Sequence, residues 1–160
     1  MMRDRTDPLD ILLVEDSPGD IRLTREALMT LNVENRLNVV SDGEQAIEFL
    51  RRRGRHADAP IPKLILLDLN LPRMSGREVL AEVKSDASLR LIPIVVLTTS
   101  DAEGDVQECY RLHANSYVTK PVDSSTFFQV ISEISNYWFK LVKLPCADTA
   151  AMVFNVPHGI

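Results

Sequence analysis

Apolar and polar residues follow one another along this chain in two rhythms. Short, almost unbroken apolar runs alternate with longer stretches that are apolar on one side only. The runs, at residues 10–17, 36–40, 63–68, 93–98 and 116–120, have the pattern of buried β-strands. The intervening stretches repeat at helical spacing. After the first run, Ser17-Pro18-Gly19-Asp20 reads as a helix start: Ser17 can cap, Pro18 suits the first helical position, and Asp20 stands where a capping-box acid would. Ile21, Leu28 and Leu31 keep one face of that helix apolar. A second helix opens at 41–44 and carries Ala46, Ile47, Phe49 and Leu50, and a two-proline connector fills 54–62. Further helices are predicted over 76–84, 105–113 and 124–143, the last roughly 30 Å long at 1.5 Å per residue.

The order is β then α, five times over. Alternation with apolar strands predicts a doubly wound α/β fold, a five-stranded parallel sheet with helices on both faces. In such sheets ligands bind beyond the carboxyl ends of the strands, where the winding reverses.

At 160 residues, 45% apolar and 26% charged, the chain is within the size and composition of one ordinary domain. A formal net charge of −5 argues against nucleic acid as its main partner. The basic run Arg51-Arg52-Arg53-Gly54-Arg55 reads as a solvated helix end. Cys109 and Cys146 show no metal-ligand spacing and predict no disulfide framework. No apolar run approaches a membrane span and the start MMRDRTDP lacks a signal-peptide core, so no membrane association and a cytoplasmic location are expected.

The chemistry gathers at the strand ends. The first strand delivers Glu15 and Asp16 to the rim, the third Asp68, the fourth Thr98 and Thr99, the fifth Lys120. Three carboxylates in one place repel each other and resist ionisation unless a counter-charge is present. Mg²⁺, a hard cation that takes oxygen ligands and retains waters, meets that need together with Lys120. The pocket so balanced suits an incoming phosphoryl group, and one carboxylate can be the nucleophile that forms an acyl phosphate. Asp68, on a central strand beside the other two acids, is the candidate.

The stretches LLVEDS, LILLDLNLPRMSG, IVVLTTS and YVTKP, in that order and on those elements, resemble the receiver domain of two-component response regulators over residues 9 to about 140. The resemblance implies a flavodoxin-like sheet in the order 2-1-3-4-5 and Asp68 as phosphoacceptor, with Glu15, Asp16, Asp68 and the backbone carbonyl of Asn70 around Mg²⁺. It further implies Thr98 as the switch hydroxyl, Lys120 as the lysine that contacts the phosphoryl group, a cis Lys120–Pro121 bond, and Tyr117 as the switch aromatic. A sensor histidine kinase would be the phosphoryl donor. Glu15 departs from the more usual Asp by one methylene, and metal binding is expected to survive this. A Mg²⁺-dependent phosphohydrolase would need a second acid two residues after Asp68, where Asn70 stands, and a flavin site would need a phosphate-cradling loop where EDSPGD is acidic. Both are disfavoured on those residues, as is a docking scaffold without phosphotransfer, because every reacting position is filled.

The chain divides on this reading into an extension at 1–8, the receiver at 9–144 and a tail at 145–160. With about seventeen residues after the last helix, output is expected from the receiver's own surface of fourth helix, fifth strand and last helix. On that last helix the apolar residues spread over about 200° of arc, where one buried face needs ~100°. Phe127, Phe128, Ile131, Tyr137, Trp138 and Leu141 therefore define a candidate homodimer surface, unless Val153 and Phe154 of the tail fold back over it. The closing pattern from Asn136-Tyr137-Trp138-Phe139 to Leu144-Pro145 resembles single-domain regulators paired with phytochrome-type histidine kinases.

Overall fold

The computed structural model describes residues 8–145. The expected extension before Pro8 and the tail beyond Pro145, with Cys146, Val153 and Phe154, lie outside the described residues. Five strands, β1 (Leu9–Val14), β2 (Asn35–Val40), β3 (Leu64–Leu67), β4 (Ile94–Thr98) and β5 (Ser116–Thr119), form one parallel sheet in the order β2-β1-β3-β4-β5. They alternate with α1 (Pro18–Met29), α2 (Gly43–Leu50), α3 (Gly76–Ser85), α4 (Glu103–Arg111) and α5 (Ser124–Asn136). This is the doubly wound fold predicted from the alternation.

Side chains alternate across a strand, and here each set finds its own core. Leu12, Val14, Ile65, Leu67, Ile94 and Val96 pack on one face with Ala46 and Phe49 of α2 and Val79, Leu80 and Val83 of α3. Ile11, Leu13, Leu64, Leu66, Val95 and Leu97 pack on the other with Ala27 and Leu28 of α1 and Phe127 and Ile131 of α5. Because both faces are covered, β3 and β4 are buried at every residue, which explains their unbroken apolar runs. The edge strand β5 is only half-buried.

The helix starts follow their local signals. Ser17 caps α1, Asp42 caps α2 and Asp123 caps α5, each accepting from the backbone three residues on. Ser75 and Glu78 make a reciprocal capping box at α3. The basic run after α2 is largely solvated, with Arg52, Arg53 and Arg55 exposed, while Arg51 is half-buried and pairs with Glu82 at 3.1 Å and Asp86 at 3.3 Å, and Arg52 Nε donates to the Ala59 carbonyl at 2.8 Å.

The last helix differs from its expectation. Rather than running to Lys143, the α-helix gives way after Asn136 to a π-turn over Tyr137–Leu141, closed by the Val142 amide donating to the Tyr137 carbonyl at 2.9 Å. The excess apolar arc thereby divides. Trp138 and Phe139 pack against the α1–α5 core, while Tyr137 and Leu141 remain exposed at 52% and 80%. Phe127 and Ile131, at 2% and 0%, are core residues and belong to no surface. Of the six candidates for a dimer surface, those two are thus corrected.

Candidate functional site

Strand register brings the polar residues together. Val14 pairs with Leu67, so Glu15 and Asp68 leave adjacent strands at the same level; Thr98 pairs with Thr119, so Lys120 follows one residue later. Backbone bonds fix each departure. The Asp68 amide donates to the Val14 carbonyl at 3.1 Å, the Glu15 amide to Val40 at 3.0 Å, and the Lys120 amide to Thr98 at 2.7 Å.

Lys120 is the hub. Its Nζ donates to Glu15 Oε2 at 2.6 Å, Asp20 Oδ2 at 2.9 Å and Asp68 Oδ2 at 3.0 Å. Burial opposes the charge on this ammonium, but its hydrogen bonds to Glu15 and Asp20 and the charges of Glu15 and Asp68 outweigh that and raise its pKa. For Glu15 burial is the largest influence and pushes the carboxyl up to about 7, against the pull of Lys120 and of the Ser17 amide, with Asp68 adding repulsion. The direction follows first from the burial of Glu15, to which the neighbouring Asp68 charge adds.

A cation fits here. One oxygen from each of Glu15, Asp16 and Asp68 lies within 4.8 Å of the others, two of these residues being buried and Asp16 exposed. An all-oxygen, all-carboxylate donor set open to water on one side suits a hard divalent ion. The Asn70 amide donates to Asp68 Oδ1 at 3.3 Å, which ties the loop after β3 to the central carboxylate.

The hydroxyl of Thr98 is fully buried, yet Oγ1 has no hydrogen-bond partner among the described residues. Thr99, by contrast, is exposed. Tyr117 on β5 is half-buried, with its hydroxyl donating to the Ser100 carbonyl at 2.7 Å; burial raises its pKa. Ser100 Oγ in turn bonds Asp105, and Arg77 of α3 holds Asp105 and, at 3.0 Å, Glu108. The start of α4 is thus linked both to the aromatic and to α3.

The Lys120–Pro121 bond is trans, correcting the cis expectation. The two forms of an X–Pro bond differ by only about 0.5–1 kcal/mol, and Lys120 satisfies all three of its protons with the bond trans.

Two features escaped the sequence reading. Asp20 joins the site; its position as third residue of α1 accounted for it locally, although a third acid in EDSPGD was a visible signal. The second is close backbone packing beneath the site. A Cβ on Gly76 would fall 2.1 Å from the Asp68 carbonyl oxygen, and one on Gly43 would fall 2.1 Å from that of Met74, so the path of the loop after β3 depends on glycine at both positions.

A doubly wound sheet with a lysine-held aspartate, flanking acids and a buried hydroxyl at its carboxyl rim defines a class of phosphoryl-accepting signalling domains. The chain belongs to the response regulator receiver domain family, which matches residues 11–132. It is 47% identical over 140 residues to response regulator Rcp1 of Synechocystis sp., spanning 88% of this chain and 95% of that protein. The Mn²⁺-bound form of Rcp1 superposes with a TM-score of 0.85 at 87% and 100% coverage of the two chains. The phosphorylated cyanobacterial phytochrome response regulator RcpA gives 0.86 at 47% identity, covering 88% and 100%. A bacteriophytochrome response regulator, RtBRR, is 40% identical with a TM-score of 0.69, covering 93% and 91%. As a receiver, the chain is the partner of a histidine kinase in a two-component system, and the solved structures it resembles include phytochrome response regulators. Among the described residues, no helix is long and apolar enough to cross a membrane.

Proposed function

We propose that Asp68 accepts a phosphoryl group from a phosphohistidine of a sensor histidine kinase, of the phytochrome type. The observation that carries this reading is the buried, unpartnered Thr98 hydroxyl on β4 beside a carboxylate on β3 that Lys120 already holds at 3.0 Å. A buried hydroxyl without a partner is costly, and a phosphoryl group on Asp68 would bring three acceptor oxygens to that level of the sheet.

An Asp68 carboxylate oxygen attacks phosphorus, the P–N bond breaks, and the kinase imidazole leaves with the electron pair and takes a proton from solvent. Glu15, Asp16 and Asp68, with the Asn70 backbone carbonyl, are the residues to hold Mg²⁺. The bound ion would neutralise charge on the phosphoryl oxygens. Lys120 can exchange its Asp68 bond for a phosphoryl oxygen without moving far. Thr98 turns its hydroxyl to another, and Tyr117, leaving Ser100, repacks between two states of the α4-β5-α5 surface whose populations phosphorylation biases. Homodimerisation through the exposed end of the last helix, coupled to phosphorylation, is the output we favour. The domain limits at 9 and 144 and a cytoplasmic location are part of the same proposal.

Incubation with acetyl phosphate and Mg²⁺ tests the reaction. The chain should gain the mass of one phosphoryl group, and borohydride reduction should convert residue 68 to homoserine. Asp68→Asn, which keeps the volume and removes the nucleophile, should gain none; uptake by that variant at an undiminished rate refutes the assignment.

A further inference from the structure

An ammonium has three protons, and in this site all three go to carboxylates: Glu15, Asp20 and Asp68. Two of those acceptors change partners during the reaction proposed above, because Asp68 becomes an acyl phosphate and Glu15 belongs to the cation's oxygen set. Asp20 lies outside that set and does not react. It is the one carboxylate in contact with Lys120 that is free to stay.

Its placement is well determined. Asp20 is the third residue of α1, its amide donating to the Ser17 hydroxyl and its carbonyl accepting from Thr24 Oγ1 at 2.8 Å. The local partner its carboxylate would ordinarily take, the Ser17 amide, donates instead to Glu15 Oε1 at 3.0 Å. The Asp20 carboxylate is thereby released from capping and meets Lys120 across a separation of 100 residues. Lysine is a point charge on a flexible four-carbon stem. Without a fixed acceptor, it would regain rotamers at the moment its other two partners turn away.

We propose that Asp20 is a positioning residue for Lys120. It holds the ammonium at the rim while Asp68 and Glu15 exchange partners, so that Lys120 meets the arriving phosphoryl oxygens already oriented. The proposal rests on Asp68 being the phosphoacceptor.

The test uses the full chain with acetyl phosphate as donor, comparing wild type with Asp20→Ala, Asp20→Asn and Asp20→Glu, each checked for native melting. Asp20→Ala should lower the rate of phosphoryl uptake at saturating Mg²⁺ and donor by about tenfold, with little change in the donor concentration for half-rate. Asp20→Glu should recover most of the rate, and Asp20→Asn part of it. In a Lys120→Ala background the Asp20→Ala loss should vanish. A second readout needs neither metal nor donor: the Lys120 side-chain ¹⁵N–¹H signal, slowed in exchange by its three acceptors, should be lost or broadened in Asp20→Ala. An unchanged saturating rate, an equal loss in the Lys120→Ala background, or an unchanged ammonium signal each overturns the proposal while leaving Asp68 as acceptor intact. Failure of the wild type itself to be modified at Asp68 overturns both.

Discussion

Thr98 shows what one residue reveals at this site. A threonine at the end of a buried strand can satisfy its hydroxyl locally, yet this one does not. Thr98→Val removes the unpaired hydroxyl and keeps the shape, so the resting protein should gain about 1 kcal/mol, read as a melting temperature raised by a few degrees. The same variant should bind beryllofluoride with Mg²⁺ about tenfold more weakly in calorimetry, because a charge-assisted bond has been lost. Loss of stability would mean that the hydroxyl is satisfied in the resting state. Asp68, Glu15, Asp16 and Lys120 were readable as strand-end residues because that signal is local. Asp20 was not, since a capping acid and a lysine partner look alike in sequence; only the Glu15 bond to the Ser17 amide tells them apart.

Elements carry the next set of consequences. The start of α2 comes against the loop after β3, and Gly43→Ala would place a Cβ 2.1 Å from the Met74 carbonyl oxygen. Backbone at that distance cannot give way cheaply, so a loss of about 2–3 kcal/mol in denaturant unfolding is expected. Gly19→Ala, with nothing within 4 Å, should cost far less. The start of α5 depends on Asp123, whose carboxylate accepts from Ser125 Oγ at 2.7 Å, Thr126 Oγ1 at 2.7 Å and the Thr126 amide at 2.9 Å. These bonds hold its pKa down to about 2, against an ordinary value of 3.8. Between those values the unfolded chain binds a proton that the folded one does not. The cap's contribution is therefore complete above 3.8 and is lost as pH falls through about 2. Asp123→Asn should flatten that part of the stability–pH profile; identical acid limbs for the two proteins would contradict it. Capping residues and apolar runs made the elements legible. The end of the last helix was not, because periodicity counts apolar positions without saying which of them the neighbouring helix α1 can cover.

For the whole molecule, the division of that last apolar arc decides which residues can meet a second copy. Phe127 is core, and Phe127→Ala should cost about 3–5 kcal/mol whatever the state of assembly. Tyr137→Ser and Leu141→Ser, at exposed positions, should change stability by no more than about 0.5 kcal/mol. If the proposed homodimer uses this end, those two variants should nonetheless sediment as monomers under conditions, Mg²⁺ with beryllofluoride, that make the wild type heavier. Sedimentation identical to wild type would remove them from the interface.

The amino-acid sequence by itself determined the strand and helix order, the sheet's two buried faces and the rim where the reacting residues emerge. Periodicity, capping and strand ends are properties of neighbours in the chain, and they survive without knowledge of the fold. Only the tertiary structure decided that Lys120 divides its protons among three carboxylates, that Thr98 stays unpartnered, that Lys120–Pro121 is trans, and that Phe127 and Ile131 are interior. Each of these depends on groups from separate elements meeting in space, at distances that no local pattern encodes.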